Sequence, residues 1–207
     1  MKRIVIIGAS GFGKEVAWVI NRINAVAPSI DVIGFCDDAP DKQVGLFEGR
    51  PLLGAVEQFA AIHPGCGFIC AIGNNRVRQH VTARALASKL FPVSVIDPSA
   101  IIAPDAVIAE GTYVGVASIV SVGASLGPGV IVNHQACVGH DARLGPYSQV
   151  CPGARISGGC EIGEGALLGT NAAIIPLKKM GDWSILGAGT TALRDIPGNA
   201  TVVRLKG

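Results

Sequence analysis

With 207 residues and a formal net charge of +2, the chain has room for one long domain or two small ones, and it lacks the basic runs of a nucleic-acid surface. Glycine is abundant, 28 residues, and aromatics are few, as expected where turns recur every few residues. The six cysteines, at positions 36, 66, 70, 137, 151 and 160, have neither metal nor redox spacing and read as small buried thiols of a reducing compartment.

The N-terminal MKRIVIIGAS has a basic start, but its apolar run breaks at Gly8, too early for a signal-peptide core. Residues 3–7 read instead as a buried strand. Gly8, Gly11 and Gly13 form a turn, and EVAWVINRI continues with helical spacing of apolar residues. DVIGFCDD reads as a strand ending in Asp37 and Asp38, residues 39–54 as a loop, 55–62 as a short helix, and FICAIG (68–73) as a third strand. Asn74 and Asn75 follow it, then a helix through Arg84 and Leu90. Strand–helix alternation of this kind implies a small parallel sheet, a Rossmann-like unit over residues 1–91.

The GASGFG loop joins strand to helix, where backbone N–H groups and a helix N-terminus can meet phosphate. Its spacing is G-x-x-G-x-G, and a sheet region this short holds half of a dinucleotide fold. A mononucleotide-linked ligand suits it better than a dinucleotide. Asp37 and Asp38 close one strand and Gly73, Asn74 and Asn75 follow another, on the edge where ligands gather in open α/β sheets. His63 and His80 have no partners in view and read as surface or satisfied histidines.

From Ile96 to Ile174 every sixth residue is aliphatic, and the residue four places after each, up to Leu168, is small. Lys178 then takes a small-residue place, while Met180 and Leu186 keep the phase. A period of six belongs to neither an α-helix nor an ordinary strand; it is the signature of a parallel β-helix, here assigned to residues 92–207. Each aliphatic residue turned into the axis contributes roughly 1.5–3 kcal/mol. Residues 111–139 carry no charge and imitate a membrane span, but the hexad phase, Pro128 and Asn133 run through them, so the chain reads as soluble and cytoplasmic.

Two histidines, His134 and His140, fall at hexad corners and should project outward. Asp141 follows His140 at once. If three hexads make one coil, residues eighteen apart stack, and Gly158 lies one coil beyond His140, leaving backbone open to a ligand. A histidine with an adjacent carboxylate and bare backbone beside it makes a general-base site. His134, one hexad earlier, lies on a different edge and suits a turn-stabilising role. With two coil histidines, the three ligands of a β-helix zinc site are not available.

The segments GASGFGKEV, GFCDD, AIGNNRVR, the hexads and VGHDARLG together resemble the bacterial sugar O-/N-acyltransferase family, which includes sialic acid O-acetyltransferases and nucleotide-linked 4-amino-sugar N-acetyltransferases. That resemblance implies a left-handed β-helix, a homotrimer, acetyl-CoA in the groove between neighbouring helices, and a sugar nucleotide on the N-terminal domain. It makes His140 the base and Asp141 its orienting acid. Asn133, Gln149, Gly158, Lys178 and Arg204 fall to acetyl-CoA, and Gly8, Ser10, Gly11, Gly13, Asp37, Asp38, Gly73, Asn74 and Asn75 to the sugar nucleotide. No metal is implied. The sequence departs from the family at Phe12 and Gln149, where histidines are common, and ends in VVRLKG in place of G-x-P-A-K, which leaves Arg204 and Lys206 for the coenzyme. The expected activity is N-acetylation of a nucleotide-linked amino sugar, a 4-amino-4,6-dideoxy sugar, for bacterial surface glycan synthesis. O-acetylation of a sugar hydroxyl is the alternative, and a non-catalytic nucleotide-sugar-binding partner the third reading.

Overall fold

The structure, a computed structural model, describes residues 1–42 and 44–203. The chain divides into two compact units, Met1–Val95 and a second that begins at Ile96. The division expected after residue 91 falls inside the first unit. The reason is a short strand, Phe91–Pro92, that pairs in parallel with Gly67–Phe68 and so completes the first sheet.

In the first unit the strands are β1 (Lys2–Ile7), β2 (Ile30–Cys36), β3 (Leu46–Phe47), β4 (Arg50–Pro51), β5 (Gly67–Cys70) and β6 (Phe91–Pro92). The helices are α1 (Gly11–Val26), α2 (Val56–Ile62) and α3 (Asn75–Ala87). The main sheet runs β2-β1-β5-β6, all parallel. Its central strand is apolar because both faces are covered: Ile4, Val5, Ile6 and Ile7 are buried, with Val16, Val19 and Ile20 of α1 buried as well. Val5, Ile7, Phe59, Phe68 and Val81 belong to one core cluster with α2 and α3.

Two local readings change. Gly11 and Gly13 are not part of the turn but lie in the first turn of α1, which starts directly after Ser10. The segment expected to be loop contains the β3–β4 hairpin, closed by Glu48 and Gly49, both at positive φ, as two-residue hairpin turns require. An Asp-Gly or Asn-Gly pair would have announced it; Glu-Gly does not.

The second unit is a left-handed parallel β-helix of about six turns. Its strands are two residues long, and they form three parallel sheets of seven, six and five strands. Strands pair with the one eighteen residues on, Tyr113 with Ile131, Cys137 with Arg155 and Arg143 with Glu161, except at the end, where Ile185 pairs with Thr201, sixteen residues on. The second residue of each strand points into the axis, where Val114, Val132, Val150 and Leu168 are all fully buried. The small residues fill the corners beside them, Ala124, Ala142 and Ala154 among them.

Every corner from Gly111 to Gly189 places one residue at positive φ, at intervals of six. Glycine occupies several of these places, but Gln135, Asp141, Tyr147, Asn171 and Trp183 adopt the same left-handed backbone. The solenoid imposes this conformation on non-glycine residues at a cost of roughly 1–2 kcal/mol each.

Candidate active site

In the first unit, a pocket of about 290 Å³ opens at the C-terminal ends of β1, β2 and β5. Its apolar wall is Ile7, Ile72, Val77 and Val81, and its polar rim includes Gly8, Ser10, Asp37, Asp38 and Gly73. Five of the residues expected around a ligand here therefore meet in one cavity. The others have different positions. Asn74 caps α3, its side-chain oxygen accepting from the Val77 N–H at 3.1 Å. Asn75 is buried in the first turn of that helix.

The glycines divide into two kinds. A Cβ at Gly8, whose φ is +112°, would lie 2.7 Å from the Ala71 carbonyl oxygen, and one at Gly13 would lie 2.1 Å from that of Gly8. These two allow the loop, strand and helix to close on one another. Gly11 and Gly73 have nothing within 4 Å of an added Cβ, so their bareness faces open space. Ser10 is the N-cap of α1 in extended backbone and makes no side-chain cap, so its hydroxyl does not satisfy the N–H groups of the first turn.

The two acids also differ. Asp37 spans the loop, accepting from Ala9 N–H at 2.8 Å and Ala39 N–H at 3.0 Å, with the Lys42 ammonium 3.7 Å away. Lys42 also donates to the Ala9 carbonyl at 2.8 Å. Asp38 is held by Arg84 of α3, which simultaneously grips Glu57 of α2. The hydrogen bonds from Arg84 hold the Glu57 carboxyl below the ordinary glutamate range. Burial pushes the Cys36 thiol up to about 12 and that of Cys70 up to about 11, so neither supplies a thiolate at neutral pH.

In the second unit, His140 stands at the corner after the strand Cys137–Val138 and is exposed. Asp141, at φ 58°, turns back so that its carboxylate lies 2.9 Å from His140 Nδ1. A proton on Nδ1 is donated to that carboxylate, and Nε2 keeps its lone pair. The ring lies over Gly158: a Cβ there would come within 2.2 Å of Nε2 and 2.4 Å of Cε1. The eighteen-residue stacking is thus present, but the Gly158 backbone, expected to be open to a ligand, is buried and the imidazole itself covers it. A solvent-open imidazole held in one tautomer above the Gly158 backbone can accept a proton from a nucleophile docked on that corner.

His134 differs. Its Nδ1 accepts from the Val116 N–H at 3.1 Å, one coil below, and its ring sits over Gly115. Asn133 is buried, its side-chain oxygen accepting from the His134 N–H at 2.7 Å. Gln149 is also buried, on the strand that pairs with Ile131–Val132, between Ile131 and Leu167, with its amide 3.7 Å from the Cys151 sulfur. Lys178 is half-buried at the corner after Leu177. Arg204 and Lys206 lie outside the described residues. No cluster of three metal-ligating side chains occurs among the described residues, and none of their helices is long and apolar enough to cross a membrane.

Comparison with known proteins gives a consistent outcome. Residues 3–85 match the PglD N-terminal domain family. The structure matches perosamine N-acetyltransferase from Caulobacter crescentus, solved with CoA and GDP-perosamine in a form with one histidine replaced by asparagine, at 28% identity and a TM-score of 0.89, covering 100% of this chain and 98% of that one. The acetyltransferase domain of PglB from Neisseria gonorrhoeae, solved with acetyl coenzyme A, matches at 31% identity and TM-score 0.86, covering 98% of this chain and 96% of that one. WeeI from Acinetobacter baumannii matches at 25% identity and TM-score 0.85, covering 99% and 97%. A search of the curated proteins finds no match. Fold and relatives define an acyltransferase built on hexapeptide repeats. The chain belongs to the hexapeptide-repeat sugar acetyltransferases.

Proposed function

We propose that this protein transfers the acetyl group of acetyl-CoA to the amine of a nucleotide-linked amino sugar, with His140 as general base. The observation that carries the reading is the His140–Asp141 pair at 2.9 Å with the imidazole set over Gly158. The amine nitrogen attacks the thioester carbon while His140 Nε2 takes its proton. The carbon–sulfur bond then breaks, and the proton taken up by His140 passes to the departing thiolate, so that coenzyme A leaves as the thiol. Asp141 holds the Nδ1 tautomer, and backbone N–H near Gly158 stabilises the developing oxyanion. General-base help contributes about 10²–10⁴-fold, and positioning of the two substrates supplies the rest. No covalent acyl-enzyme is required.

The sugar nucleotide occupies the N-terminal pocket, its base against Ile72, Val77 and Val81 and its diphosphate at the uncapped start of α1. Acetyl-CoA binds between neighbouring solenoids of a homotrimer, with Asn133, Gln149, Gly158, Lys178 and Arg204 assigned to it. Two observations support the trimer. The coil 114–131 carries no charge, and Ile101, Val107 and Val122 are exposed on the solenoid by 65, 64 and 53%. Acetyl-CoA supply and six cysteines outside any disulfide suit a cytoplasmic enzyme.

The test is thiol release from acetyl-CoA across UDP-, GDP- and TDP-linked 4-amino sugars and their 4-hydroxy counterparts, with the product identified by mass spectrometry. Acetylation of an amine supports the reading. Turnover confined to hydroxyl acceptors refutes it in favour of O-acetylation, and binding without turnover leaves a nucleotide-sugar-binding protein. Light scattering should report three chains per particle.

A further inference from the structure

Two carboxylates, Asp37 and Asp38, line the N-terminal pocket, an unpromising arrangement for a nucleoside diphosphate. The structure resolves the conflict differently for each. Asp37 is absorbed by the loop: both of its oxygens accept backbone N–H groups, and Lys42 stands 3.7 Å from one of them. Among the described residues Asp38 accepts hydrogen bonds from Arg84 alone, through Nη1 at 2.5 Å and Nη2 at 3.3 Å. The same guanidinium forks toward Glu57 through Nε and Nη2, each at 2.7 Å. One planar group thus ties the end of β2, the first turn of α2 and the last turn of α3 together.

Three features set this apart from an ordinary surface ion pair. Arg84 uses both edges of its fork at once, which fixes the plane of the guanidinium and with it the plane of the Asp38 carboxylate. Its side chain is 28% exposed while Asp38 and Glu57 remain about half open, so the cation is screened less than its partners. And the carboxylate it orients is on the pocket rim, with lone pairs beyond those Arg84 occupies.

We infer that Arg84 is a positioning residue for the nucleotide: it offsets part of the charge of Asp38 and turns its carboxylate to accept an N–H or O–H of the bound nucleoside, with Glu57 holding Arg84 in that plane. The inference rests on the proposed use of this pocket. Lysine cannot replace the guanidinium, because an ammonium is a point charge without a fork.

The test is calorimetry of UDP, GDP and TDP on the full-length protein and on Arg84→Met, Arg84→Lys, Asp38→Asn and the Arg84→Met/Asp38→Asn double variant. Acetyl-CoA affinity and melting temperature are measured on each. Arg84→Met should weaken the preferred nucleotide by about tenfold, the scale of one hydrogen bond to a charged group, with acetyl-CoA affinity unchanged. Arg84→Lys should recover only part of the loss. The double variant should bind no more weakly than Asp38→Asn, because Arg84 acts through Asp38. Nucleotide affinity unchanged in Arg84→Met, additive losses in the double variant, or an equal loss of acetyl-CoA affinity would each overturn the inference. A wild-type protein that binds none of the three nucleotides refutes the use of the pocket itself, before any variant is compared.

Discussion

Gly158→Ala offers a perturbation whose effect follows from distances alone. The added Cβ would lie 2.2 Å from His140 Nε2, 2.4 Å from Cε1 and 2.8 Å from Cδ2, all atoms of one exposed side chain. The backbone at Gly158 is not in the left-handed region, so alanine brings no φ strain. Restoring ordinary contact near 3.4 Å from 2.2 Å requires the imidazole to retreat by about 1.2 Å. A displacement of about 1 Å at a reacting centre can cost about 10²-fold in rate, since it spoils alignment without removing the group. The move also strains the 2.9 Å bond to Asp141 that holds the tautomer. We therefore expect kcat for thiol release to fall by about 100-fold in Gly158→Ala. The melting temperature should stay within a degree or two, because the displaced ring is solvent-exposed. Full activity in Gly158→Ala would show that the ring's position over Gly158 is irrelevant to chemistry. A large loss of stability would show instead that the site is packed in a way these contacts do not reveal.

Gly139→Ala is the contrasting case. Its Cβ would meet backbone atoms of Ser157 and Gly158 at 2.7 and 2.8 Å, which cannot swing aside, so thermal unfolding should reveal a loss of about 1–3 kcal/mol, the scale of overpacking. Gly11→Val projects into open space in the first turn of α1 and should weaken sugar-nucleotide binding by calorimetry while acetyl-CoA binding is retained; equal loss of both would remove the pocket assignment. The Glu57 carboxyl lies below its ordinary value of 4.5 in the folded protein, chiefly through hydrogen bonds from Arg84. Its contribution to stability is then present above that ordinary value and is lost as pH falls through the lower, folded one. Wild type should accordingly lose more melting temperature than Glu57→Gln when acidified below 4.5, and parallel acid profiles would show the ion pair to be without effect.

Much of this architecture was legible because its physics is periodic. A six-residue repeat of aliphatic and small residues admits one stacking, and the eighteen-residue coil that follows from it sets Gly158 opposite His140. The His140–Asp141 pair was legible for the same reason, since adjacent residues at a corner must share an edge. What remained hidden is non-local or conformational. That Asp141 sits at positive φ depends on the corner geometry of the whole solenoid, not on aspartate. The glycines of GASGFG look alike in sequence, yet Gly8 and Gly13 serve packing while Gly11 faces open space. Asn74, read as a ligand contact, also caps α3, a role that depends on where that helix begins. The Arg84 clamp joins residues 27 and 46 positions apart, and no local pattern announces such a contact.

The central claim is that His140 removes the proton from the acceptor amine. Its most direct test is His140→Ala assayed by acetyl-CoA thiol release with the preferred amino-sugar nucleotide, alongside calorimetry of both substrates. The account predicts a fall in kcat of about 10²-fold or more, the scale of general-base catalysis, with both substrates bound at wild-type affinity. Turnover in His140→Ala close to the wild-type rate would contradict it.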